Sequence, residues 1–215
     1  MKLISKIENA RYSATISHNN YLGECISVAY ELTGEEVKEG GFTDKTVLIL
    51  LKIKNEEFPF ENNKRETLFG KGTFVGNKVP LRIMSSCMTG LLGDKMCECH
   101  DDMVKYLKTL GARDEGIFVY LPQEGQGRGL KVKLRDHRLQ YGFDDMGKRI
   151  VPKTFREATS YLIPNSKFDI RKFGFLKDCF SLLGLDMFEF GWLGGENRIK
   201  QLKSETGLRV SNLKF

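Results

Sequence analysis

What the 215 residues lack narrows the field first. No span approaches the roughly 20 apolar residues of a membrane helix, and Met1-Lys2-Leu3-Ile4 gives way to polar residues without a signal-type apolar core. The expectation is a cytoplasmic protein with no membrane partner. Dense Lys/Arg runs are also missing. The 34 basic residues exceed the 28 acidic ones, giving a net charge of +6, but they are scattered, which favours small anionic ligands and no nucleic acid. Cysteine is sparse: five residues, an odd count with three clustered. That excludes a disulfide framework and points to a reducing compartment. No internal repeat is present. The remaining composition, 40% hydrophobic and 29% charged, is that of an ordinary globular chain.

The length suits one well-buried domain or a domain plus an N-terminal extension, and the expectation is one domain over residues 1–215, with a strand-rich part (1–78) ahead of a core (79–215). Cys25–Tyr30 and Thr46–Ile53 are β-rich runs, the second apolar almost throughout, as in a strand covered on both faces. Asn55–Arg65 is a polar loop, and His18 is a lone surface histidine in a polar turn. Met103, Tyr106, Leu107 and Leu110 share one helical face that Gly111 terminates. The strand Ile117–Leu121 follows, then a helix with Leu130, Leu134, His137 and Tyr141 on one face and Lys131, Arg135 and Arg138 on another. Helix over 171–183 closed by Gly184, strand over 185–192, helix over 196–206 and strand over 208–215 complete the reading. The fold class is α/β (α+β): a mixed β-sheet core with flanking helices.

Two stretches can carry chemistry. Cys87, Cys97 and Cys99 are spaced so that three thiolates can converge on one ion. Zinc held by three protein ligands keeps a fourth position for water and lowers its pKa to about 7. His100 would close such a site if it served as a fourth ligand. The second stretch is Pro122-Gln-Glu-Gly-Gln-Gly-Arg-Gly129, which leaves a strand, enters a helix and can cradle phosphate with backbone N–H groups. Taken singly, the cysteines are equally compatible with unrelated buried thiols, and the loop with a plain tight turn.

In combination these segments resemble the GTP cyclohydrolase II family. Arg82-x-x-Ser85-x-Cys87-x-Thr89-Gly90 with Cys97-x-Cys99 is similar to its zinc segment, and Gln123-Glu124-Gly125-x-Gly127-x-Gly129-Leu130 to its nucleotide loop. Glu157-Ala158 and Asp169-x-Arg171-x-Phe173, leading to Phe180-x-Leu182-Leu183-Gly184, are similar to its catalytic segment. The resemblance runs in order from about Val79 onward and implies a GTP cyclohydrolase II-like fold assembled as a homodimer. It implies water attack at guanine C8, ring opening, loss of formate and separate release of pyrophosphate, as in riboflavin synthesis. Catalytic Zn2+ would sit on Cys87, Cys97 and Cys99, and Mg2+ would accompany a purine nucleoside triphosphate, GTP first. Asp169 matches the proton acceptor, and Arg171 a residue assigned to attack on the α-phosphorus. A guanidinium stays protonated and better suits a charge clamp. His137 stands where the family has a catalytic Tyr. Arg82, Ser85, Glu124, Gly125, Gln126, Arg128, Thr154 and Arg198 are the implied substrate contacts, with Glu124 matched to the N1–H and amino group of guanine.

The chain also departs from the family pattern. The first two cysteines are one residue closer than usual, and Met84 and Ser86 replace His and Glu. Gln126 replaces Arg, Gly194–Arg198 replaces a Thr-Asn-Asn-Pro-Lys contact, and residues 144–152 form an insertion. These changes allow a paralogue that acts on another purine nucleotide or stops at a formylated intermediate. A dinucleotide-binding domain and a non-catalytic zinc nucleotide sensor are the other classes.

Overall fold

The computed structural model describes residues 11–54, 67–94, 97–162 and 171–213. Asp169 and the polar stretch 55–65 lie outside the described residues. β1 (Tyr12–Asn19), β2 (Gly23–Glu31) and β3 (Thr46–Lys52) form an antiparallel meander. β4 (Val79–Ser85), β5 (Gly116–Leu121), β6 (Glu189–Trp192) and β7 (Arg209–Asn212) pair in parallel. Antiparallel pairing of β3 with β5 joins both halves into one seven-stranded sheet of order β1-β2-β3-β5-β4-β6-β7. Helix α1 (Gly34–Gly40) links β2 to β3. α2 (Met88–Leu91) and α3 (Cys99–Gly111) link β4 to β5. α4 (Leu130–Gln140), α5 (Phe155–Leu162) and α6 (Phe175–Leu183) lie between β5 and β6, and α7 (Glu196–Thr206) between β6 and β7. This is the mixed α/β architecture that the patterning predicts.

Strand alternation builds a core on each face. In β3, Ile49 and Leu51 join Ile26, Val28, Leu81 and Val119 beneath Phe180 of α6 and Leu202 of α7. Leu50 points the other way, to Phe118 and the α3 residues Leu107 and Leu110. Each such side chain contributes about 1.5–3 kcal/mol when fully buried. Coverage of both faces holds only for the second half of β3, since Leu48 remains 38% exposed.

Three local expectations differ from what forms. His18 is exposed in β1 opposite Glu24, not in a turn. Gly111 is the last residue of α3 and does not supply a left-handed cap, which is absent because Ala112 follows in right-handed geometry. A Cβ at Gly111 would come within 2.1 Å of the Tyr21 carbonyl oxygen, so close approach of the β1–β2 turn requires the glycine. In α4, Leu134 and Tyr141 are about half exposed, whereas Lys133, Asp136 and His137 turn inward because polar partners wait there.

β4 and β5 end side by side, with Ser85 in register with Leu121. The chain runs from β4 to β5 on one side and later to β6 on the other. A crevice outside the carboxyl ends of parallel strands at such a reversal is where α/β sheets bind ligands.

Candidate active site

Cys87 follows the end of β4 and caps α2, its Sγ accepting from Gly90 N–H at 3.2 Å. The chain turns back through Asp94, whose carbonyl accepts from Cys97 N–H at 3.0 Å, and Cys99 opens α3. The three sulfur atoms lie within 4.8 Å of one another, Cys87 and Cys97 at 3.0 Å. A Cβ at Gly90 would sit 2.9 Å from Cys87 Sγ and 3.1 Å from Cys97 Sγ, so glycine lets the turn wrap the sulfurs. Three soft donors in such a cradle fit zinc with a position left open. His100 is outside this sulfur group, and its Nδ1 is buried without a hydrogen-bond partner.

Lys133 Nζ lies 2.5 Å from Cys87 Sγ and 3.8 Å from Glu124 Oε2. The Cys87 thiol is held far below its ordinary value, first by the hydrogen bond from Cys99 and then by Lys133, against the opposing effect of burial. Burial acts to lower the Lys133 pKa, and the thiol contact outweighs it, so the ammonium persists.

The glycine loop folds as a tight 3-10 turn over Gly125–Gly127, with Gln126 left-handed at φ 59°. A non-glycine residue held there costs about 1 kcal/mol or more, strain that the surroundings must impose. Arg128 supplies part of that constraint. Its Nε donates to the Gly125 carbonyl at 3.1 Å, and its guanidinium is buried against Asp136 of α4 at 3.1 Å. Burial pushes the Asp136 carboxyl up while Arg128 opposes it.

The crevice is a cavity of about 540 Å³ whose lining includes Arg82, Lys133, Arg171 and Arg198, with Asp102 as its carboxylate among the described residues. Arg82 stacks on Tyr106 at 3.7 Å, donates to the Leu193 carbonyl at 2.6 Å, and has a buried Nε without a hydrogen-bond partner. Arg171 donates to Ser85 Oγ at 2.8 Å, and its own carbonyl accepts from Gln201 at 2.7 Å. Arg198 lies over Phe173 at 5.0 Å in the first turn of α7, whose Gly195 and Asn197 also line the cavity. Cationic side chains beside a helix N-terminus can bind a polyanion.

Among the residues expected from sequence, Arg82, Ser85, Cys87, Cys99, Gly125, Gln126, Arg171 and Arg198 line this cavity, and Cys97 completes the sulfur cluster. The others have different surroundings. Glu124 is buried with its carboxylate on Met88 N–H (2.6 Å) and Ser86 Oγ (3.2 Å), tying the glycine loop to the first cysteine. Arg128 is occupied by Asp136. Thr154 forms a capping box with Glu157 at the start of α5. His137 is buried outside the cavity lining, with Nδ1 2.7 Å from Asp94. Sequence reasoning missed Lys133, Asp102, Trp192 and Gln201. For Lys133 a signal existed: it precedes His137 by one helical turn, and Asp102 follows Cys99 by three residues on α3.

A sequence profile described as GTP cyclohydrolase II matches residues 52–189, more than half of the chain. A GTP cyclohydrolase-2 from Picrophilus torridus is 39% identical over 85 residues, which cover 39% of this chain and 44% of that protein. A GTP cyclohydrolase-2 from Neisseria meningitidis is 46% identical over 93 residues, covering 40% and 47%. The riboflavin biosynthesis protein RibBA of Parabacteroides distasonis is 31% identical over 121 residues, covering 53% and 29%. The chain thus spans less than half the length of each of these relatives.

Proposed function

This chain belongs to the GTP cyclohydrolase II family, and from that premise we propose that it hydrolyses a purine nucleoside triphosphate, GTP first, opening the imidazole ring and releasing formate and pyrophosphate in a riboflavin-type pathway. One observation carries the reading: a cluster of three sulfur donors, two of which line the cavity, meets four cationic side chains in one crevice at the carboxyl ends of parallel strands. Cys87, Cys97 and Cys99 would hold zinc, which when bound supplies an activated water and a polarising charge.

The chain's own groups do the rest. Arg82 and Arg198, with the start of α7, hold the phosphates of a Mg2+-accompanied nucleotide. Arg171, oriented by Ser85, neutralises charge that develops at the α-phosphate. Asp169 accepts a proton, a role supported by its motif position. Asp102 is the carboxylate among the described lining residues that can accept from the N–H edge of guanine, since Glu124 lies outside the lining with one oxygen on Met88 N–H. That position of Glu124 favours a second reading, in which the base recognised or the extent of deformylation differs from the family norm. Mass spectrometry of products from a panel of purine nucleoside triphosphates, with formate and pyrophosphate quantified, tests both. Formate and pyrophosphate from GTP support the first, and a formylated product or another preferred base supports the second. Intact nucleotides throughout, with zinc-loaded protein, would sink both.

A further inference from the structure

We propose that His137, Asp94 and Tyr141 form a brace that fixes the turn between Cys87 and Cys97, making His137 a positioning residue for the metal ligands and not a proton-transfer group. The inference rests on the reading that the three cysteines hold zinc.

Asp94 is the hub of that turn. Its N–H donates to the Thr89 carbonyl at 3.0 Å, and its own carbonyl accepts from Cys97 N–H at 3.0 Å. Asp94 therefore ties the backbone just after the first sulfur ligand to that of the second. Its carboxylate is anchored at both oxygens, by His137 Nδ1 of α4 at 2.7 Å and by the hydroxyl of Tyr141, which caps that helix, at 3.1 Å. His137 is only 7% exposed and does not line the cavity, so its ring faces the turn and not a nucleotide. One helical turn earlier, Lys133 on the same helix meets Cys87 Sγ. A single face of α4 thus holds the turn at its first ligand and, through Asp94, at its second. Outer partners that orient metal ligands change metal affinity by about 10–100-fold when removed.

The test measures zinc transfer from the zinc-loaded full chain to a colorimetric chelator. His137→Phe keeps the ring volume without the hydrogen bond, and Asp94→Asn weakens the same bond from the other side. Each is expected to speed release by about 10–100-fold. The double variant should release no faster than the quicker single one, because both changes break one interaction. His137→Gln, whose amide can donate to Asp94, should recover much of the retention. Tyr141→Phe, at an exposed position, should show a smaller acceleration in the same direction. Unchanged release in both single variants, or effects that add fully in the double variant, overturns the brace while leaving zinc binding by the parent protein intact. A parent protein that takes up no zinc overturns the functional reading along with it.

Discussion

The antiparallel half of the sheet, β1–β3, and the parallel half, β4–β7, share one core, yet they serve the site very differently. In the parallel half the strands end on the same side, so the segments after β4, β5 and β6 meet in one crevice and deliver Cys87, Gly125 and Arg198 to it. In the meander successive ends alternate, and residues 20–22 merely turn the chain between β1 and β2. Strand direction, more than apolar content, decides which half can hold chemistry. The meander still makes one contribution. The end of α1 and the stretch after it prop the glycine loop: Gly40 O accepts from buried Gln123 at 2.6 Å, and Thr43 donates to Pro122 O through both N–H and Oγ1.

The largest contrast should come from cysteine replacements. Cys97→Ser substitutes a weak hydroxyl ligand for a thiolate and is expected to abolish both zinc content and turnover. Cys25→Ser, at a buried thiol of the meander outside the sulfur group, should keep stoichiometric zinc. Metal analysis of both variants checks this. Zinc retained in the first, or lost in the second, breaks the division between the halves.

Next in size is a comparison of cations. Arg171→Ala should slow pyrophosphate release by about 10²–10³-fold, the scale of losing one preorganised charge stabiliser. Arg11→Ala, beside Glu36 and Tyr30 in the meander, should leave that rate near the parent value. Formate measured in parallel shows whether ring opening survives the loss of Arg171. Undiminished pyrophosphate from the Arg171 variant would mean that its place in the motif is coincidental.

The same division explains what the sequence made legible. The cysteine cluster, the glycine loop and the α/β alternation are local patterns, and they survive into the structure with the expected boundaries to within a few residues. β1 was not legible because Ala14 alone among its eight residues is buried, so an edge strand leaves almost no apolar alternation. The inward face of α4 was hidden for the opposite reason. Its Leu134 looks like a core residue, but beside Leu139 the positions that turn inward are polar and find Cys87, Arg128 and Asp94 only after tertiary contacts form. For Glu124, nothing local reveals that Met88 N–H lies within reach of its carboxylate. Composition and spacing report what a segment can do, whereas partner choice among polar groups is settled by the fold.

A smaller effect should arise where the halves touch. Gln123→Leu removes the donor to Gly40 O and leaves that carbonyl unsatisfied in a buried place, at a cost of about 1–3 kcal/mol. The loop would lose its support from the meander while every lining side chain remained. The expected result is roughly a tenfold fall in kcat/KM, the scale of a slight misplacement of binding groups. Unaltered kinetics with an altered melting temperature would show the prop to be structural only.

The smallest expected effect on turnover belongs to Ile26→Ala in β2. Ile26 is fully buried, paired with Leu51 of β3, and part of the core beneath α6 and α7. Truncation removes apolar contacts and opens a cavity that the surrounding sheet can only partly fill, a change worth about 2–5 kcal/mol. For a chain of this size that corresponds to a Tm lowered by roughly 4–20 °C. No cavity-lining residue lies on β2, and β3 and β5 separate it from β4, where the crevice begins. The specific activity of the folded fraction, assayed well below the lowered Tm, should therefore match the parent. A fall in kcat at that temperature, with zinc fully bound, would show that strain passes from the meander to the crevice, and the two halves would then have to be treated as one catalytic body.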